Sequence, residues 1–184
     1  MSLSCECSHF RRYTPLSSRY GDNDWKTLRN SSEKCCVGLS APQIGVGSQV
    51  FVMEFQEKHA KQFTEKEFKL KEMSLVPFTV VINPEIKVLN FDKVIYSESC
   101  ESIKGFWADV PRYRKLLLTG FNEDADRIEI EATGWVARII QHEMDHLHGI
   151  LYTDVMDRKT LTSVCWEAVN ERRGKVVLPF SPDT

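Results

Sequence analysis

QHEMDHLHG, residues 141–149, is the stretch of sequence that most restricts the fold. Residues four apart lie on one face of an α-helix, so His142 and His146 can both reach one metal ion. Glu143 then points towards the same ion and is free to act as a general base. The alternative is two surface histidines on an amphipathic helix. This stretch alone leaves both interpretations open.

The flanking residues favour a helix. Thr133 and Gly134 can begin it, and Gly149 can end it. Two histidines do not complete a catalytic metal site, which typically has three protein ligands and one open position. Cys100, in YSESCES (96–102), follows a predicted strand and is the best candidate for the third ligand. The alternative is a buried free cysteine that behaves as a small hydrophobe, the commoner fate of this residue.

GLSAPQIG, residues 38–45, is a second stretch whose residues are poorly explained by a purely structural role. Its small residues allow a close approach of the backbone, and Pro42 fixes the chain where Gln43 projects. A glutamine amide can donate a hydrogen bond to a developing oxyanion. The alternative is an ordinary turn before the next strand.

Length and composition predict one soluble domain. The 184 residues can bury a real core, 42% of them are hydrophobic and 27% charged, and the net charge is −2. No dense field of Lys and Arg favours nucleic acid, and no apolar run approaches the length of a transmembrane helix. The six cysteines do not form a disulfide framework, which indicates a reducing compartment.

Residues 1–20 contain three arginines, five serines and one acid, a composition that fits either a mitochondrial transit peptide or a merely disordered terminus.

The order of elements predicts an α+β domain, with mainly antiparallel strands packed around the central metal-binding helix and a helix near the C-terminus. Residues 1–34 are predicted to be mostly irregular with a short helix near 25–29, residues 35–175 to form the catalytic domain, and residues 176–184 to form a tail.

The Lys- and Glu-rich residues 56–73 are interpreted as a solvated insertion with some helix, or alternatively as an interaction arm. Asn83-Pro84 and residues 122–126 are interpreted as turns. The predicted strands are 49–55, 78–82, 85–90, 93–96, 115–121 and 127–132, and the last helix is predicted for 158–171.

Three segments together resemble a known family. VGLSAPQIG (37–45), ESCES (98–102) and QHEMDHLHG (141–149) are similar, in order, to the three signature motifs of the peptide deformylases. Ser40 and Glu101, in place of the commoner Ala and Leu, resemble the mitochondrial branch, as does the long segment between the first two motifs. Three motifs in the right order are far more specific than any one of them.

The resemblance implies a role for each motif residue. Cys100, His142 and His146 would bind one divalent ion, with Fe(II) typical of the family and Zn(II), Ni(II) or Co(II) able to replace it. Glu143 would take a proton from the attacking water and pass it to the leaving amine. The remaining roles are oxyanion donors in the Gln43 side chain and the backbone N–H of Glu101, substrate contacts from Gly38 and Trp107, and a bracing pair of Glu98 and Arg112.

The chain differs from the family pattern in three places. Ser99 replaces a glycine, which would strain the backbone if that position needs a positive φ. Trp107 stands where bacterial members often have arginine. The N-terminal block of the family, with its Gly-Asp-Pro-x-Leu-Arg segment and long first helix, is not recognisable in residues 1–34, which leaves an N-terminally truncated isoform, a gene-model artefact and a degenerate paralogue as alternatives.

The resemblance implies removal of the N-formyl group from formyl-methionyl nascent peptides in the mitochondrial matrix, with release of formate and with the ribosome as a candidate partner. The oligomeric state is left open. A zinc peptidase is one alternative, which Cys100 and Gln43 argue against, because such peptidases usually take a carboxylate or a third histidine. A catalytically impaired deformylase-like protein that only binds peptide is the other.

Overall fold

The computed structural model describes residues 24–32 and 37–174. The helices are α1 Asp24–Ser32, α2 Glu57–Ala60, α3 Glu65–Leu70, α4 Gly134–Leu147, α5 Tyr152–Val155 and α6 Trp166–Glu171. The strands are β1 Gly38–Ser40, β2 Val50–Phe55, β3 Val76–Cys100, β4 Ile103–Phe121, β5 Arg127–Thr133 and β6 Thr162–Ser163. Two 3₁₀ helices span Ala41–Ile44 and Arg158–Thr160. The predicted tail, residues 176–184, and the proposed targeting segment, residues 1–20, lie outside the described residues.

The strands form one antiparallel sheet in the order β1-β2-β3-β4-β5, and β6 pairs with β4. Helix α4 packs on this sheet and buries its apolar side in the main core. The core members from α4 are Ala137, Ile139, Ile140, Met144 and Leu147, and those from the sheet include Phe51, Met53, Leu116 and Leu118. The predicted α+β architecture with a central helix is therefore confirmed.

Helix α4 begins and ends as its sequence predicts. Thr133 is the N-cap residue in an extended conformation, and Gly149 adopts a left-handed conformation with φ 74° after the last turn. The N–H of Ile150 donates to the carbonyl of Asp145 at 2.9 Å, which is the Schellman closure of a helix. Gln141 fixes the helix on β4, because its amide accepts from the N–H of Tyr113 and donates to the carbonyl of the same residue, each at 2.9 Å.

Several predicted boundaries are wrong. Strand β3 continues through Asn83-Pro84, which form a bulge with φ 49° at Asn83 instead of a turn. The proline is tolerated there because a bulge removes one residue from the ladder and because pairing with β2 has already ended at Ile82. Strand β4 begins at Ile103, well before the predicted start at Lys115.

The predicted helix 158–171 is also divided. Its first part is the 3₁₀ turn Arg158–Thr160 and strand β6, and only Trp166–Glu171 is α-helical. Asp157 caps the 3₁₀ turn by accepting from the N–H of Lys159 at 3.0 Å. The Thr160 hydroxyl accepts from the N–H of Asp109 at 2.8 Å, so tertiary contacts override local helix propensity.

Residues 56–73 form two short helices, in agreement with a mainly exposed insertion with some helix. Helix α1 contains the short helix predicted near 25–29 and packs on β1 and β2 through Leu28, which is fully buried among Leu39, Val50 and Val80. Within the described part of the chain, no helix is both long and apolar enough to cross a membrane.

We expect Leu28→Ala to lower the free energy of unfolding by about 2–5 kcal/mol, because it leaves a cavity in the second core cluster. Urea unfolding followed by circular dichroism measures this. Lys26→Ala, an exposed change on the same helix, should stay within about 0.5 kcal/mol of the parent. Equal effects from the two variants would contradict the packing of α1 into the core.

Candidate metal centre and active site

The three predicted ligand atoms converge. Ligand atoms of Cys100, His142 and His146 all lie within 4.8 Å of one another, the only such group of three among the residues that the structure describes. Cys100 ends β3 and the two histidines face it from successive turns of α4. The Sγ of Cys100 lies 3.2 Å from Nε2 of His146. A thiolate and two imidazoles are a donor set that suits Zn(II), Fe(II) and related ions, so the residues fit one divalent metal ion.

The two imidazoles stabilise the thiolate in the metal-free site. Burial would raise the pKa of Cys100, but hydrogen bonds and charge from His142 and His146 outweigh it and lower the pKa to about 5. Burial would lower the pKa of His142, but its hydrogen bonds with Cys100 and Glu98 and the charges of Glu143 and Glu98 raise it to about 10. Cys100 as a thiolate and the two histidines as neutral imidazoles would hold a divalent ion, so binding would be accompanied by loss of the imidazolium proton.

Glu98 orients His142. Its Oε2 lies 3.0 Å from Nδ1 of His142, which leaves Nε2 for the metal. Arg112 donates two hydrogen bonds of 2.9 Å to this carboxylate, and Arg138 donates a third of 2.6 Å. Burial would raise the pKa of Glu98, but the bonds from His142 and Arg112 and the Arg112 charge lower it to about 2. Arg112 also binds Asp145 at 2.6 Å, so the buried charges are paired.

Glu143 lies beside the predicted ligands and is buried. Its side chain is 3% exposed, and burial raises its pKa although the histidine charges and Ser40 oppose this. The hydroxyl of Ser40 donates to Oε2 of Glu143 at 2.6 Å and lies 3.1 Å from its backbone carbonyl oxygen. Any Cβ at Gly38 would overlap this carboxylate, being 2.8 Å from its Cδ. A larger residue at position 38 would therefore displace the Glu143 carboxylate from its present place.

Gln43 projects from the 3₁₀ helix towards the end of β3. Its Oε1 accepts from the N–H of Ser40 at 2.8 Å, which fixes the amide. Its Nε2 donates to Oγ of Ser102 at 3.1 Å and lies 3.8 Å from Sγ of Cys100. The donor predicted from the sequence is thus within reach of the predicted metal centre.

A pocket of about 590 Å³ opens onto these groups. Glu143, Gln43, Cys100 and His142 line it, and Phe106, Trp107 and Trp135 contribute aromatic surface. Trp107 is 47% exposed and belongs to the segment of β4 that pairs with β6. The Glu101 side chain pairs with Lys104 at 3.1 Å, and both residues line the pocket.

The structure answers the question that Ser99 raised and adds two residues to the site. Ser99 is exposed and is not among the non-glycine residues with positive φ in the described chain, so the serine does not strain this segment. Ser40 contacts Glu143, and Arg138 contacts Glu98. The sequence had assigned neither residue a role in the site. Arg138 precedes His142 by four residues and therefore shares its helix face, a signal that could have identified it.

Comparisons with known proteins agree with this geometry. The family model described as polypeptide deformylase matches residues 16–161. The chain belongs to this family. The match to the family model begins at residue 16, upstream of residue 37, where the first of the three motifs begins.

The chain is 43% identical over 136 residues to the mitochondrial peptide deformylase of Homo sapiens, covering 74% of this chain and 56% of the relative. It is 40% identical over 128 residues to the chloroplastic/mitochondrial peptide deformylase 1A of Arabidopsis thaliana, covering 70% and 48%. A peptide deformylase of Synechococcus elongatus in complex with actinonin superposes with a TM-score of 0.56 at 30% identity, over 85% of this chain and 73% of that one. The chain thus spans about half the length of the human and Arabidopsis relatives.

We expect Glu98→Gln to destabilise the metal-free protein by about 3–5 kcal/mol, because two buried guanidinium groups lose their shared counter-charge. The folded pKa of Glu98, about 2, lies below its ordinary value of 4.5. The stability that the wild type gains over the variant is therefore present above pH 4.5 and is lost as pH falls towards 2.

Urea unfolding with a chelator present, repeated at several pH values, measures this difference. Glu131→Gln removes an exposed ion pair with Lys115 and serves as the control, with an expected effect below about 1 kcal/mol. A Glu98→Gln penalty that does not change between pH 6 and pH 2.5 would contradict the assigned ionisation.

Proposed function

We propose that this chain is a metal-dependent peptide deformylase that hydrolyses the N-formyl group of formyl-methionyl nascent peptides and releases formate. The convergence of Cys100, His142 and His146 beside the buried Glu143 is the observation that supports it most strongly, in a chain of this family. We propose Fe(II) as the ion, with Zn(II), Ni(II) or Co(II) as replacements. The catalytic domain is proposed to comprise residues 35–175, to which helix α1 adds part of the core.

The proposed roles follow from position and chemistry. The bound ion would act as a Lewis acid that lowers the pKa of water and polarises the formyl carbonyl. Glu143, held by the Ser40 hydroxyl, would accept the proton of the attacking water and deliver it to the leaving amine. Gln43 Nε2 and the backbone N–H of Glu101 would donate to the developing oxyanion.

The other residues would position these groups and the substrate. With the ion bound, Glu98, braced by Arg112, would accept from Nδ1–H of His142 and so leave Nε2 of that imidazole for the ion. Gly38 would lie beside the peptide backbone, and Trp107 would contact the chain that follows the formylated residue. The low pKa of Glu98 supports its role as a permanent anion in this arrangement.

The proposal is tested by formate release from formyl-Met-Ala-Ser with anaerobically Fe(II)-loaded protein. An internal peptide without a formyl group serves as the second substrate. Formate release without internal cleavage supports a deformylase. Internal cleavage would favour a zinc peptidase, and no turnover of either substrate would favour a peptide-binding protein.

Glu143→Gln should lower kcat by about 10² to 10⁴ because an amide cannot accept the proton of water. The metal content should stay at one ion per chain, since Glu143 is not a predicted ligand. Cys100→Ala is the contrasting variant and should lose metal, because only two imidazoles would then hold it. Near-normal turnover by Glu143→Gln, or full metal occupancy of Cys100→Ala in elemental analysis, would contradict the assigned roles.

We also propose that the protein acts in the mitochondrial matrix, on nascent chains at or near the ribosome, without contacting nucleic acid itself. The names of the human and Arabidopsis relatives support this, as do three arginines and one acid among residues 1–20. A fusion of residues 1–34 to a fluorescent reporter should enter mitochondria. Purely cytosolic fluorescence would contradict the location and leave the chemistry unaffected.

A further inference from the structure

The end of the charged segment 56–73 lies against the start of helix α4. The carbonyl of Lys71 accepts from the N–H of Trp135 at 3.1 Å. Gly134 has a φ of 55°, and a Cβ at this position would lie 2.8 Å from the Lys71 carbonyl oxygen. The segment therefore touches the helix that supplies two of the predicted metal ligands, at the helix's first turn.

The Lys71 ammonium group faces three aromatic rings. Its Nζ lies 5.1 Å from the ring centroid of Phe63, 5.3 Å from that of Trp135 and 5.7 Å from that of Tyr96. A cation within about 6 Å of a ring face is attracted by the quadrupole of the ring. The hydroxyl of Tyr96 also donates to the carbonyl of Leu70 at 3.0 Å, which holds this part of the segment against β3.

One of these rings is part of the pocket. Trp135 lines it together with Arg138 and Ile139, from the turns of α4 that lead to His142. On its other side the indole packs against Phe63 and Phe55, with centroid distances of 6.0 and 6.5 Å. The same indole thus contacts the charged segment and borders the space where a substrate would bind.

We propose that Lys71 is a positioning residue that fixes the indole of Trp135 as a wall of the pocket and thereby sets how tightly a formylated peptide is held. This inference rests on the proposed function. The Lys- and Glu-rich segment 56–73 then shapes the pocket, in addition to being an exposed insertion. The effect acts on substrate binding, since Lys71 touches none of the predicted ligands or Glu143 among the described contacts.

Three single variants test this. Lys71→Met keeps an unbranched side chain of similar length and removes the charge, Lys71→Arg keeps the charge, and Lys69→Met is an exposed control on the same segment. For formyl-Met-Ala-Ser, Lys71→Met should raise KM about five-fold, the factor that an ordinary cation–π contact supplies, with kcat and metal content unchanged. Lys71→Arg should leave KM close to the wild-type value because it keeps the charge, and Lys69→Met should leave KM unchanged.

A double variant tests whether Lys71 acts through Trp135. Because the two residues form one contact, adding Lys71→Met to Trp135→Leu should raise KM no further than Trp135→Leu does alone. A fully additive increase, or an unchanged KM in Lys71→Met, would overturn the proposal.

A readout independent of turnover separates this inference from the proposed function. Protein labelled with 5-fluorotryptophan contains four fluorine probes, and Trp135→Leu identifies the resonance of Trp135. Lys71→Met should shift or broaden that resonance, while Lys69→Met should not. A wild type that releases no formate would refute the proposed function only, whereas an unperturbed Trp135 resonance in Lys71→Met would refute the positioning role.

Discussion

The buried carboxylate of Glu98 joins the two parts of the chain that form the site. It lies in β3, two residues before Cys100, and it binds Arg138 and His142 of helix α4 at 2.6 and 3.0 Å. Arg112 of β4 closes the group with two further bonds. Burying these charges is unfavourable unless each has a partner, and the network supplies one for each. The hairpin and the helix are thereby held in the one arrangement that brings the thiol to the imidazoles.

Local pattern predicts the elements whose contacts are local. Helix α4 could be located to within one residue at its start, because its cap, apolar faces and closing glycine lie close together in sequence. The first half of strand β4 could not be located from its sequence, because its buried positions are Ala108, Val110 and Arg112. A buried arginine breaks the apolar alternation of a strand, and its burial depends on Glu98 and Asp145, which only the tertiary structure brings near.

The same limit applies to the site. The three motifs taken together, with the family resemblance that they carry, predicted that Cys100, His142, His146 and Gln43 converge, although these residues lie on three separate elements. The supporting groups were not predictable in this way. Ser40 looks like a minor substitution in its motif, yet its hydroxyl binds the carboxylate of Glu143. Such contacts depend on close approach between β1 and α4, for which a single sequence gives no spacing rule.

X-ray absorption spectroscopy of the Zn(II)-loaded protein tests the central claim most directly, namely that Cys100, His142 and His146 hold one ion. The account predicts one sulfur scatterer at about 2.3 Å and two imidazole nitrogens at about 2.0–2.1 Å. In Cys100→Ala the sulfur contribution should disappear. A wild-type spectrum with only nitrogen and oxygen neighbours, or a sulfur contribution that persists in Cys100→Ala, would contradict the assignment of the metal centre.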